Sequence, residues 1–307
     1  MTSHVFGPVP SRRLGRSLGV DLVPCKTCTY DCIYCQLGRT TCKTVQRKEW
    51  VPLDAVLHSL TQRLSTKPDY ITLSGSGEPT LFSKLDVLID RIKAIADVPV
   101  AVLTNGSLLW REDVSEQIEG ADLVVPSLDA GSEALFREVN RPEESVQFDR
   151  MVEGLIDFRG EFTKEMWLEI LLVDGLTATE SAVAELAKQV ARIQPDRVQL
   201  NTVTRPPAEP DAVGISEEKL AYFATMFTPP AEVIADFRGV HEQAHFAADR
   251  ETVLDLLRRR PCSVDDIADG LAMHRNEVVK YVQELAAQGR VEEIDIGRKR
   301  HYRVCGE

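Results

Sequence analysis

Short apolar runs alternate with longer stretches in which apolar residues recur three and four positions apart. Residues 70–75 (YITLSG), 98–107 (VPVAVLTNGS), 121–129 (ADLVVPSLD), 165–175 (EMWLEILLVDG) and 196–206 (DRVQLNTVTRP) read as strands that end in Gly, Pro, Asn or Asp turns. Between them, residues 81–97, 145–160 and 179–194 carry the apolar stripe of amphipathic helices. With a first strand near 15–24 (GRSLGVDLVP), about six strand–helix units fit. Parallel neighbours need helix-length crossovers, so this alternation builds a parallel sheet with helices outside. The pattern predicts an α/β chain folded as a partial (β/α)6 TIM-like barrel.

After about residue 240 the rhythm changes. Residues 250–259 read as one helix, SVDDIADGL opens a second on a capping Ser263, and 274–289 (HRNEVVKYVQELAAQG) forms a third that stops at Gly289. VEEIDIG and RKRHYRV then alternate as a hairpin turning at Gly297. This order resembles a winged helix-turn-helix domain. The expected organisation is a core at 1–240 and a small winged-helix domain at 241–307.

Composition places the chain. It has 307 residues, 43% hydrophobic and 27% charged, as expected of a folded globular protein. No apolar stretch approaches the roughly 20 residues of a bilayer span, and MTSHVFGPVPSRR lacks the apolar core of a secretion signal. A cytoplasmic protein without a membrane partner is expected. In that compartment thiols stay reduced, so clustered cysteines point to metal ligands or catalysts before disulfides.

Four of the seven cysteines fall within residues 25–36, CKTCTYDCIYCQ. Cys28, Cys32 and Cys35 are spaced C-x3-C-x2-C. A structural zinc site would need a second ligand pair downstream, and Cys42, Cys262 and Cys305 do not form one. A redox pair would use two thiols and leave the rest unexplained. Three thiolates on one loop suit a [4Fe–4S] cluster with one iron left open to a ligand.

The segment Cys28-Thr-Tyr-Asp-Cys32-Ile-Tyr-Cys35 resembles the cluster loop of the radical S-adenosylmethionine (SAM) superfamily. That resemblance implies SAM chelated at the open iron, with Tyr34 packed near adenine. It also implies reductive cleavage of SAM to a 5′-deoxyadenosyl radical that abstracts hydrogen from a substrate, and an electron donor such as flavodoxin or ferredoxin. In YITLSGSGEPT, Gly75, Gly77, Glu78 and Pro79 resemble the family's Gly-Gly-Glu-Pro motif, with Ser76 where a glycine is usual. Glycines let backbone approach a ligand, and a carboxylate offsets the methionyl ammonium. Ligands of parallel sheets sit at C-terminal strand ends. Ser74, Thr104, Asn105, Ser127, Asp129, Glu169, Gln199, Asn201 and Thr202 stand there. By resemblance, Ser127 and Asp129 are candidates for the SAM ribose, and Gln199 and Asn201 for SAM or substrate.

Residues 7–24, QLGRT after Cys35, and 199–210 (QLNTVTRPPAEP) resemble the radical SAM subgroup related to wyosine-forming tRNA enzymes. The expected substrate class therefore includes a tRNA base, with a peptide or small metabolite as alternatives. Cys25 and Cys42 are too few to form the second cluster that wyosine synthases carry. Arg12, Arg13, Arg16 and Arg205 could clasp a phosphate or carboxylate, or could be solvated charges. The net charge of −12 opposes nonspecific binding to a polyanion, yet the wing holds Arg298, Lys299, Arg300, His301 and Arg303. RNA or DNA contact, protein contact and peptide recognition all stay open for that domain. A cluster-based redox-sensing DNA regulator is the non-enzymatic alternative, but a sensor has no need of Gly77-Glu78-Pro79. A Rossmann methyltransferase is disfavoured because no strand is followed by G-x-G-x-x-G.

Overall fold

A computed structural model describes residues 4–11, 13–205, 207–235, 250–271, 273, 275–296 and 299–305. The expected domain boundary at 240, Arg12, the Gly297 turn and Arg298 lie outside the described residues.

The barrel is built from β1 (Val5–Ser11), β2 (Gly15–Val20), β5 (Tyr70–Leu73), β6 (Val100–Thr104), β7 (Leu123–Pro126), β8 (Glu165–Leu172), β9 (Arg197–Thr202) and β10 (Glu232–Val233), hydrogen-bonded in that order. From β2 to β10 every pairing is parallel, while β1 folds back antiparallel on β2. Two short strands, β3 (Thr27–Cys28) and β4 (Cys42–Lys43), pair with each other outside the main sheet. The row begins at β1 and ends at β10 without pairing the two, so the barrel is open along one side among the described residues.

The helices α1 (Leu53–Arg63), α2 (Leu85–Ile95), α3 (Glu112–Ile118), α4 (Glu133–Val139), α5 (Phe148–Glu161), α6 (Glu180–Ile193) and α7 (Glu217–Ala224) follow the strands in turn. Their apolar stripes explain the packing: α2 buries Leu85, Leu88, Ile89 and Ile92, and α6 buries Val183, Leu186, Val190 and Ile193. Thr179 caps α6 by accepting from the Ala182 amide at 3.3 Å. All four residues of β7 are buried, as expected of a parallel strand covered on both faces.

The chain ends in α8 (Arg250–Arg259), α9 (Val264–Leu271), α10 (Arg275–Ala287) and an antiparallel pair, β11 (Val291–Ile296) with β12 (Lys299–Val304). Ser263 and Asp266 cap α9 reciprocally, the Ser263 amide donating to Asp266 at 2.9 Å and the Asp266 amide to Ser263 Oγ at 3.1 Å. This unit has its own apolar core, including Val253, Leu257, Ile267, Val278, Leu285 and Tyr302, and Val9 of β1 packs against it. Both α8 and α9 lie on β1. The C-terminal unit thus sits at the open side of the barrel. Among the described residues no helix is long and apolar enough to cross a membrane.

Candidate functional site

The cysteine loop leaves the sheet after β2 and returns through the β3–β4 pair. It is fixed by backbone bonds on two sides. Asp31 and Ile33 donate to the carbonyls of Asn140 and Val139 at the C-terminal end of α4, both at 3.0 Å. On the other side the Lys26 amide donates to Ser76 at 2.7 Å, and the Glu78 amide donates to Thr27 at 3.1 Å. The cysteine loop and the Gly-Glu-Pro turn are therefore stitched together residue by residue. The approach is close enough that a Cβ on Gly77 would lie 1.9 Å from the Thr27 carbonyl oxygen. Gly75 has φ +150, and the Asp21 carboxylate accepts from the next amide, that of Ser76, at 2.6 Å.

Each cysteine of the triplet meets a nitrogen donor from a side chain. Asn105 Nδ2 lies 3.5 Å from Cys28 Sγ, Asn140 Nδ2 lies 3.5 Å from Cys32 Sγ, and Lys26 Nζ lies 3.1 Å from Cys35 Sγ. Burial and then the Glu78 carboxylate push the Cys28 thiol up to about 12, and burial and then Asp129 raise Cys32. Protein alone thus holds these thiols protonated, and metal binding must release their protons. Among the described residues no three His, Cys, Asp or Glu side chains are placed to hold a single metal ion. Three thiols on one loop at C-x3-C-x2-C spacing fit a [4Fe–4S] cluster.

The acidic candidates serve as struts. Glu78 is 2% exposed. Its carboxylate accepts from the Thr80 amide (3.0 Å) and hydroxyl (2.7 Å), the Thr104 hydroxyl (2.6 Å) and the Asn105 amide (2.7 Å). Burial raises its pKa, while these bonds pull it down. Asp129 accepts from Tyr34 Oη, from Asn140 Nδ2 at 2.8 Å and from the Leu171 amide at 2.9 Å. Its carboxylate thus ties Tyr34 and the Cys32 partner to β8. Ser127 joins Glu169 by an isolated parallel bridge. Gln199, 1% exposed, accepts from Arg13 at 3.2 Å. Arg13 also pairs with Glu169 at 2.8 Å, and Glu169 accepts from Asn201 at 3.2 Å.

A cavity of about 480 Å³ opens inside the barrel. Of the candidate residues, Tyr34, Ser74, Gly75 and Asn201 line it, whereas Gly77, Glu78, Pro79, Asn105, Ser127, Asp129 and Gln199 are not part of its lining. Of the sequence-stretch arginines, Arg13 and Arg205 reach it. Arg16 instead donates to the Thr66 carbonyl at 2.5 Å. A void next to the cysteine loop and the glycine turn is where a nucleoside cofactor and a substrate can be brought together.

The sequence model described as the Radical SAM superfamily matches residues 22–187. The chain belongs to the radical SAM superfamily. A UPF0026 protein of Methanocaldococcus jannaschii is 39% identical over 226 residues, covering 71% of this chain and 70% of that protein. A Brachyspira hyodysenteriae protein named GTPase Obg is 38% identical over 297 residues, 95% of this chain but 44% of the relative, so the chain spans less than half of that protein. This chain has no Gly-x4-Gly-Lys-Ser/Thr phosphate loop to go with that name. The solved structure of TYW1 with a lysine-pyruvate adduct bound superposes with a TM-score of 0.54 at 18% identity, covering 70% of this chain and 74% of that one, which is a likeness of fold. The parallel sheet is a radical SAM partial barrel, and the protein is a radical SAM iron–sulfur enzyme with a [4Fe–4S] cluster and SAM as its cofactors.

Several site residues escaped the sequence pattern. Asn140 and Lys26 meet thiols, and Arg260 reaches the cavity from the C-terminal unit. The Asn-Arg-Pro turn at 140–142 was a visible signal, since Arg141 takes φ +45 there. Lys26 places a cation at Cys35. Replacing it with methionine is expected to lower the reduction potential of the radical SAM cluster, because the added electron loses a compensating charge. The shift should be on the order of 60 mV, one tenfold step of a one-electron couple, read by a redox titration followed by electron paramagnetic resonance. Cys25 and Cys42 are both exposed. The double variant Cys25→Ser, Cys42→Ser is expected to keep its iron content, and a loss of about half on metal analysis would show a second cluster.

Proposed function

We propose that Cys28, Cys32 and Cys35 hold the cluster of this radical SAM enzyme. The Ser74–Pro79 turn, Tyr34 and Asn105 frame SAM, and the barrel cavity seats a small organic substrate. The observation that carries this is the stitching of the three-cysteine loop to the Gly77-Glu78-Pro79 turn, with Tyr34 of the one and the adjoining Ser74 and Gly75 of the other lining the 480 Å³ cavity. When bound, the cofactors supply a 5′-deoxyadenosyl radical that takes a hydrogen atom from the substrate. The protein's part is to fix the loop through Asn140 and Asp129, keep water from the cavity, and orient the substrate. Arg13, Glu169 and Asn201 form a preset polar lining for that orientation, with Gln199 bonded to Arg13.

The C-terminal unit, three helices and a hairpin, supports the winged-helix reading in element order. Its charges argue for a role at the cavity rather than on nucleic acid. Arg300 pairs with Glu293 at 3.0 Å, Arg303 with Glu292 at 2.6 Å and Arg275 with Asp265 at 2.8 Å, while His301 is 3% exposed. Cations already answered by carboxylates release few counterions on meeting a polyanion. The tRNA-base reading keeps the support of the segments similar to the wyosine-related subgroup.

The test is anaerobic reconstitution with iron and sulfide, reduction in the presence of SAM, and mass spectrometry for 5′-deoxyadenosine. The assay is run alone and with bulk tRNA, a peptide pool or a metabolite pool. Formation stimulated by the metabolite pool is expected, and stimulation by tRNA alone would favour the wyosine-related substrate. Cluster-loaded, SAM-bound protein that makes none with any pool would overturn the hydrogen-abstraction reading.

A further inference from the structure

We propose that Arg260, brought into the barrel cavity by the C-terminal helices, receives an anionic oxygen group of the substrate, a carboxylate or a phosphate. This rests on the cavity being the substrate site and adds what the substrate must carry.

Arg260 follows α8 directly and lines the same cavity as Tyr34 and Gly75. It is 7% exposed, and its Nη1 is fully buried with no hydrogen-bond partner. An arginine cannot shed its proton, so this is a buried cation with one nitrogen left unanswered. Burying such a group without a partner opposes folding. The nearby carboxylate, Asp266, is committed to capping α9, accepting from Ser263 Oγ at 2.7 Å and from its amide at 2.9 Å.

The surroundings add positive charge. Arg205 lines the same cavity as Arg260. Arg205 also donates to Gln36 at 2.8 Å, which ties this wall to the segment just after Cys35. Arg13, by contrast, is already paired with Glu169 and Gln199. The planar fork of a guanidinium matches both carboxylate and phosphate oxygens. An incoming anion would satisfy the buried Nη1, and the barrel side left open between β1 and β10 would be completed by the unit that supplies it.

The experiment uses the full chain with its cluster reconstituted and SAM at saturation, titrated by calorimetry with inorganic phosphate and separately with acetate. One of the two is expected to bind and to raise the melting temperature, and which one binds names the group. Arg260→Gln is expected to weaken that binding by about tenfold or more, with Arg260→Lys in between. Without anion, Arg260→Gln should melt at or above the parent, because an unanswered buried charge has gone; a scaffold role would lower it. Should Arg260→Gln not fold, the loss is read from Arg260→Lys. The proposal is overturned if neither anion binds, if Arg260→Gln binds as well as the parent, or if the anion binds only when SAM is left out, which would make the site SAM's own. Absence of 5′-deoxyadenosine is a separate readout and bears on the hydrogen-abstraction reading alone.

Discussion

Cys32→Ala is expected to emerge from anaerobic reconstitution without the sulfur-to-iron absorption of a cluster, with little bound iron, and with 5′-deoxyadenosine below detection. Cys32 is the middle thiol of the loop. Its sulfur takes the Asn140 amide at 3.5 Å, and Asn140 in turn bonds Asp129 at 2.8 Å. Removing the sulfur deletes a ligand and strands that donor. The loss should exceed the roughly 10–100-fold in affinity that removal of an outer partner costs, so Asn140→Ala is the graded comparison. The fold should survive, because the loop is held by the backbone bonds of Asp31 and Ile33 rather than by the thiol. A Cys32→Ala protein that still shows the absorption and cleaves SAM would remove the cluster assignment altogether.

Gly77→Ala should damage stability and cofactor binding together. The new Cβ would sit 1.9 Å from the Thr27 oxygen, 2.7 Å from Val23 Cγ2 and 2.9 Å from the Thr27 carbonyl carbon. Backbone is the obstacle, and Thr27 cannot retreat, since it pairs with Cys42 and accepts from the Glu78 amide. Overpacking of this kind costs about 3 kcal/mol, or roughly 5 °C in melting temperature for a chain of this size. The turn must move away from the cysteine loop, so SAM retention in equilibrium dialysis should fall with it. Gly160→Ala is the control. Gly160 lies in α5 with nothing within 4 Å of a new Cβ, and helix propensity predicts a gain of about 0.5–1 kcal/mol. If calorimetry finds both variants melting alike, the tight approach at Gly77 is not a constraint.

Strong periodicity made much of the barrel legible. The strand readings at 98–107, 121–129, 165–175 and 196–206 enclose the observed Val100–Thr104, Leu123–Pro126, Glu165–Leu172 and Arg197–Thr202, and the helix readings enclose α2, most of α5, and α6. What went unread has physical reasons. Pro8 and Pro10 argue against a strand, and β1 accommodates them because it is an edge. The seven-residue helices α3 and α4 repeat the apolar spacing too few times to announce themselves. The triplet of cysteines was legible because it lies on one contiguous loop. Asn140 was not, because its contact with Cys32 spans 108 positions. Asp129, a candidate for the SAM ribose, also accepts from Tyr34, Asn140 and the Leu171 amide, partners that the sequence pattern does not announce because β7 and β8 come together only in the folded sheet.

The two margins of the sheet lead to a last consequence. A bare strand margin invites another chain to pair with it and aggregate. Here one margin, β10, is only two residues long, and the other, β1, carries two prolines beneath the C-terminal helices. The barrel therefore does not depend on those helices alone to keep its margins from templating a neighbour.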